Sequence, residues 1–242
     1  MIKLDSFSSF FVANWKLNGN FKFIDQFIDE LKIPEDSSKC IVLCPTSIYL
    51  DYMSHKKKNF FIGAQNVYNY KEGSFTGEIS CDSLSELKID FCIVGHSERR
   101  KIFHEKNIDI KLKSSQLHHN KIVPIVCIGE TLEEKDKNKT KDVLEKQLQE
   151  GMNDSSNSNN TIIAYEPVWA IGSGLIPSLD EIDMIHNFIR NHNKRFSNFK
   201  ILYGGSVNAS NAKEIVSLPN VDGVLVGGAS LKSDEFKKII QD

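Results

Sequence analysis

Hydrophobic residues along the chain gather into eight short runs, and between these runs they return at the three-to-four-residue spacing of a helix. The runs are Phe10 to Ala13, Cys40 to Cys44, Phe60 to Ala64, Phe91 to Val94, Ile122 to Ile128, Thr161 to Ala164, Lys200 to Tyr203 and Val221 to Val226. Most are continuous rather than alternating, as expected for strands of a parallel sheet covered on both faces. Phe21 to Leu31 carries Ile24, Phe27, Ile28 and Leu31 at helical spacing behind Asn20, and Ser178 to Arg190 opens with Ser178 and Glu181 spaced as a capping box. Thr140 to Leu148 and Ser233 to Ile240 repeat the helical period. Strand and helix alternating eight times predict parallel pairing through right-handed crossovers, for which a closed (β/α)8 barrel, a single domain over residues 1–242, is the economical solution. A doubly wound open sheet shares the repeat. No G-x-G-x-x-G follows the first run, however, and charged or glycine-rich segments end the runs throughout the chain, which favours the barrel. The Asn- and Ser-rich stretch Gly151 to Asn160 reads as a surface loop, since strand–helix units continue on both sides of it.

Composition narrows the function classes. The length of 242 residues suits one barrel, and hydrophobic and charged fractions of 40% and 26% give a sizeable core under an ordinary surface. A net charge of −2 supplies no basic field for nucleic acid or an anionic membrane, so partners are expected to be small molecules or further copies of the chain. No apolar run is long enough to span a membrane, and Phe7 to Ala13 lacks the basic flank and cleavage site of a signal peptide. The five cysteines are an odd number without a C-x-x-C, which predicts free thiols in a reducing, cytoplasmic setting.

Candidate chemistry sits where the runs end. Thr161 to Gly174, TIIAYEPVWAIGSG, reads as a buried strand ending on Glu166, followed by a rigid Pro167-Val168-Trp169 start and a Gly-x-Gly finish. Those are the parts of a base beneath a hinged lid, although an ordinary loop with a solvated glutamate has the same parts. His96 precedes an expected helix start, a position that disfavours the imidazolium and predicts a neutral ring. Gly204, Gly205 and Ser206 end the seventh run, and Gly227 and Gly228 the eighth, so backbone N–H groups there can approach an anion. Tight turns alone explain either glycine pair, but both together less well. His118, His119, His186 and His192 show no ligand spacing, so they default to surface positions and no metal site is predicted.

Six strings carry a resemblance: NWKLNG at 14–19, GHSERR at 95–100, CIGETLEE at 127–134, YEPVWAIGSG at 165–174, YGGSV at 203–207 and VGGASL at 226–231. In order and spacing, over nearly all of the chain, the sequence resembles the triosephosphate isomerase family. The resemblance implies a TIM barrel that interconverts dihydroxyacetone phosphate and glyceraldehyde 3-phosphate through an enediolate, without metal or organic cofactor, as a cytoplasmic homodimer. It implies Glu166 as general base, His96 as proton carrier between oxygens and Lys16 as the cation, with Asn14 donating a hydrogen bond beside it. Glu98 would pair with Lys16, and Cys127 would pack near Glu166 as a structural residue. Backbone amides of Gly172, Ser206, Gly227 and Gly228 would hold the phosphate. The lid would comprise Pro167, Val168, Trp169, Ala170, Ile171, Gly172, Ser173 and Gly174, with Ile171 closing against Leu225 and water exclusion raising the basicity of Glu166. Glu72 to Glu78 would form a dimer loop, its tip at Phe75 and Thr76 entering the partner near Asn14 and Lys16, with Gln65 lining that interface. Leu17, Lys88 and Ser173 stand where methionine, glycine and threonine are common. Two rivals remain open from the residues: a barrel isomerase or synthase for a larger sugar phosphate, and a catalytically silent phosphometabolite-binding protein.

Overall fold

A computed structural model describes residues 2–31, 33, 38–173 and 175–241. Its strands are β1 (Ser9–Asn14), β2 (Lys39–Cys44), β3 (Phe61–Ala64), β4 (Phe91–Val94), β5 (Val123–Ile128), β6 (Ile162–Tyr165), β7 (Lys200–Tyr203) and β8 (Gly223–Val226). Each pairs in parallel with the next, and β8 pairs with β1 to close the barrel. The hydrophobic runs overshoot the ladder at Phe60, Ile122 and Val221, each buried without belonging to a strand. Apolar runs report burial, and pairing is a narrower condition.

Burial on both strand faces explains the unbroken runs. Phe10 and Val12 of β1 point into the barrel with Val42, Phe91, Ile93, Ile125, Ile162 and Leu202, while Phe11 and Ala13 face the helices with Ile41, Leu43, Val126 and Ile163. Each large apolar side chain so buried contributes about 1.5–3 kcal/mol. The amino end of the barrel is plugged by Leu4 and by Phe7, whose ring meets Phe10 and Phe61 edge-on at 5.8 and 5.6 Å. Closure of β8 on β1 depends on Gly223, whose φ is +152° and where a Cβ would fall 2.0 Å from the Phe10 carbonyl oxygen.

The outer layer holds α1 (Phe21–Leu31), α2 (Leu50–Ser54), α3 (Cys81–Glu86), α4 (Ser97–Ile102) and α5 (Asn107–His119). It continues with α6 (Leu132–Asp136), α7 (Thr140–Gly151), α8 (Leu179–Asn191), α9 (Ala212–Val216) and α10 (Ser233–Gln241). The four helices with a clear apolar period form within a few residues of their expected bounds, and Ser178 and Glu181 make the reciprocal capping bonds. Helix α5 escapes the pattern because its buried face includes Lys113 and Ser114, and the Lys113 ammonium is matched by Glu105 at 2.5 Å and Asn66 at 2.8 Å. The five- and six-residue helices are too short to show a period at all. After α3, Lys88 takes a left-handed φ of +54°, which accounts for glycine suiting that place. Among the described residues no helix is long and apolar enough to cross a membrane.

Candidate active site

The carboxyl ends of the strands deliver the expected side chains to one cavity of about 230 Å³. Its lining includes Asn14 and Lys16 after β1, His96 after β4, Glu166 after β6, Gly172 and Ile171 of the lid, Ser206 after β7, and Gly227 and Gly228 after β8. Leu225, one residue before the end of β8, also lines it. All eight residues expected to bind or transform substrate therefore share one chamber. Val207 and Ala229 line it too, apolar neighbours of the glycine turns that no motif singled out.

Glu166 is 2% exposed, and its surroundings offset that burial. Its N–H donates to the Ile128 carbonyl at 2.7 Å; Oε2 accepts from the Ser97 N–H at 2.9 Å, and Oε1 lies 3.0 Å from His96 Nε2. Gly129 and Gly204 make room for it: a Cβ on Gly129 would fall 1.7 Å from the Glu166 carbonyl oxygen, and one on Gly204 2.9 Å from its Cγ. Burial works to raise the carboxyl pKa, but His96, the Ser97 amide and Lys16 outweigh it and hold Glu166 below the ordinary carboxylate value. Water exclusion thus acts in the expected direction, but the donors around Glu166 outweigh it. In this arrangement the carboxylate has donors on both oxygens, so it must exchange at least one of them before it can take a proton from carbon.

His96 sits at the N-cap of α4, where Nδ1 accepts the Glu98 N–H at 3.2 Å. That bond places the ring proton on Nε2, pointing at Glu166. Burial works to lower the imidazole pKa, but the adjacent Glu166 carboxylate and then Glu98 more than reverse it, so His96 titrates above its usual value. The helix N-terminus thus selects the tautomer, while a carboxylate that the helix argument left out opposes neutrality. Lys16 holds a left-handed φ of +52°, with its ammonium 2.5 Å from Glu98 Oε1. Its carbonyl accepts from Gln65 Nε2 at 2.8 Å and Thr46 Oγ1 at 3.0 Å, so a strained turn is fixed from two sides. Glu98 occupies the supporting place expected of it.

Other residues brace the site. Arg100 donates to the carbonyls of Gly95 (2.8 Å) and Cys127 (3.0 Å) and to Asn107 Oδ1 (2.7 Å), tying the exits of β4 and β5 together. Cys127 is fully buried; burial, with Glu166 beside it, pushes its thiol pKa well up and leaves it unreactive. Sequence reasoning missed two partners, Ser97 and Glu130, although both stand in the quoted strings. Glu130 accepts from Trp169 Nε1 at 2.8 Å and Tyr165 Oη at 3.2 Å, and burial raises its pKa. A charged residue at a strand end was the available signal. The lid turns once at Val168–Ala170, and its Ala170 carbonyl accepts from Ser206 Oγ at 2.5 Å. Ser173 donates to the Trp169 carbonyl at 2.9 Å, and Gly174, the expected last lid residue, lies outside the described residues.

Away from the cavity, His186 is a correction. It is wholly buried between Tyr165 and Tyr203, not on the surface, because it shares the inward stripe of α8 with Ile182, Ile185 and Ile189. His118 is half-buried, with Nε2 2.9 Å from Thr161 Oγ1. Among the described residues no group of three or more His, Cys, Asp or Glu side chains is placed to hold a metal.

Fold and cavity together define a class: a (β/α)8 barrel with an acid–base group and a cation at its carboxyl-end mouth, facing glycine-rich turns suited to an anion. The particular family follows from comparison with known proteins. A family model described as triosephosphate isomerase matches residues 9–242, and the chain belongs to that family. Among similar proteins, one named triosephosphate isomerase from Buchnera aphidicola subsp. Cinara cedri is 45% identical over 244 residues, covering 95% of this chain and 96% of the relative. Another of that name from Francisella tularensis subsp. mediasiatica is 42% identical over 239 residues, covering 95% and 94%.

Proposed function

We propose that the chain interconverts dihydroxyacetone phosphate and D-glyceraldehyde 3-phosphate. Glu166 removes a proton from the carbon beside the carbonyl, and the Nε2–H of His96 and the Lys16 ammonium stabilise the oxygen charge of the resulting enediolate. The proton returns to the neighbouring carbon after His96 has moved a proton between the two oxygens. Amides of Gly172, Ser206, Gly227 and Gly228 grip the phosphate, and the lid keeps water from the enediolate. The observation that carries this reading is the convergence of Lys16, His96 and Glu166 on one chamber with the glycine turns. At about 230 Å³ the chamber is below the roughly 300–1,000 Å³ of sites for larger ligands, which favours a three-carbon substrate over a longer sugar phosphate.

A homodimer fits the surface beside this chamber. A groove of about 510 Å³ runs from Asn14 and Lys16 past Gln65 and Glu98 to Ile102 and Phe103. Leu17, Ile102 and Phe103 on its wall are 90%, 61% and 61% exposed, an apolar surface that a partner's loop would cover. The loop at Phe75 and Thr76 has a form suited to that contact, since Thr76 is exposed at the tip and Phe75 is stiffened by stacking on Tyr70 at 4.9 Å. Five buried free cysteines accord with a reducing, cytoplasmic setting.

A coupled assay with glyceraldehyde 3-phosphate tests the activity. Glu166→Asp withdraws the carboxylate by one methylene and should cut kcat by at least about a hundredfold while inorganic phosphate still binds. Full turnover in Glu166→Ala would overturn the assignment of the base, and a wild-type protein that binds phosphate without turnover would be the silent binder instead.

A further inference from the structure

The indole of Trp169, in the first turn of the lid, is held by both edge and face. Its Nε1–H donates to Glu130 Oε1 at 2.8 Å, and the Lys135 ammonium lies over the ring at 3.5 Å from the centroid. The same ammonium pairs with Glu181 Oε1 at 2.8 Å. Glu181 is the third residue of α8, locked in the capping box with Ser178, four residues after the expected end of the lid. One side chain from α6 therefore touches both the first turn of the lid and the helix that follows it. Trp169 lies in the lid turn Val168–Ala170, ahead of Gly172, so a shift of the indole moves the part of the lid that faces the glycine turns. The Lys135–Glu181 pair is about a third exposed and would count for little alone. The ring face adds the attraction and the direction that an isolated pair lacks.

We propose that Lys135 is a positioning residue for the lid, clasping its first turn to the start of α8 through the Trp169 ring and Glu181. The proposal rests on the isomerase reading of the cavity and names what holds that cavity's cover in register. The charge is the effective feature: the ammonium attracts the ring's negative face, and Glu181 fixes where the ammonium sits.

Lys135→Met keeps the stem and removes the charge. It should move the indole emission to longer wavelength and lower its anisotropy, with the KM for glyceraldehyde 3-phosphate rising about two- to fivefold at little change in kcat. The signal is assignable because the only other tryptophan, Trp15, is fully buried away from Lys135's contacts. Lys135→Arg should restore emission, anisotropy and KM, and Glu181→Gln, which keeps a capping oxygen, should shift all three the same way by less. Unchanged emission and KM in Lys135→Met, or an arginine variant that behaves like the methionine one, overturns the clasp. Should Lys135→Met fail to fold, Glu181→Gln decides, and unchanged emission there overturns it as well. Absence of isomerase turnover in the wild type would count against the function instead, since the emission and anisotropy arms read the clasp without substrate.

Discussion

Glu166 and His186 are both buried, yet burial governs only one of them. Around Glu166, donors outweigh desolvation; around His186, one hydrogen bond from Nδ1 to the Asn220 carbonyl at 3.3 Å does not, and Nε2 has no partner. Burial therefore lowers the His186 pKa to about 4. Between that value and the unfolded value near 6.5, the unfolded chain binds a proton that the folded chain refuses, so stability falls as pH falls through this window. The loss at its acid end is about 3 kcal/mol. Urea titrations at about pH 7.5 and about pH 4.5 should show this fall in the wild type and a smaller one in His186→Phe, which keeps a ring between the two tyrosines; equal falls would refute the account. At this scale the sequence was most legible in placement, since Lys16, His96 and Glu166, each singled out within a motif string, all line the one cavity. His186 was misread because its place on the stripe of Ile182, Ile185 and Ile189 was overlooked, although the spacing was there to see. The partners that set the acidity of Glu166 come from distant segments, and no local pattern announces them.

At the scale of elements, β5 and β6 run so close at their exits that the Cα of Gly129 is packed against the Glu166 backbone. Gly129→Ala must push the two strand exits apart, because the obstructing atom is backbone and cannot rotate away. We expect kcat/KM to fall at least about a hundredfold, from displacement of the Glu166 carboxylate by around an ångström, and a variant with unchanged turnover would disprove the constraint. Strands were legible because covering both faces of a parallel sheet leaves few polar positions inside the runs, Asp222 being one, and the longer helices because their apolar face recurs at helical spacing. Helix α1 forms with both ends where its spacing predicts them. Helix α5 was not legible, since its interior ion pair of Lys113 and Glu105 puts charge where the periodicity demands an apolar residue. Short helices such as α4 and α6 carry functional contacts, yet they complete little more than one turn, which is too short to be read from spacing.

For the whole molecule, repetition made the alternation of strand and helix legible, and the run ends, charged or glycine-rich and without a G-x-G-x-x-G after the first, separated the barrel from the open sheet that shares the repeat. The homodimer, expected from the resemblance, had no support in the hydrophobic pattern, because Leu17, Ile102 and Phe103 lie in loops and a short helix where an apolar residue carries no periodic meaning. Light scattering on the eluted protein should give a mass about twice the 27.4 kDa of the chain. Thr76→Glu, at an exposed loop tip, should shift the mass toward one chain and lower kcat by loosening the turn at Lys16, whereas a monomeric wild type would sink the dimer. Finally, all five cysteines lie in the interior with sulfurs out of reach of solvent. A maleimide in the medium would consequently label the native protein only as fast as it opens, so the chain carries its own chemical clock for unfolding.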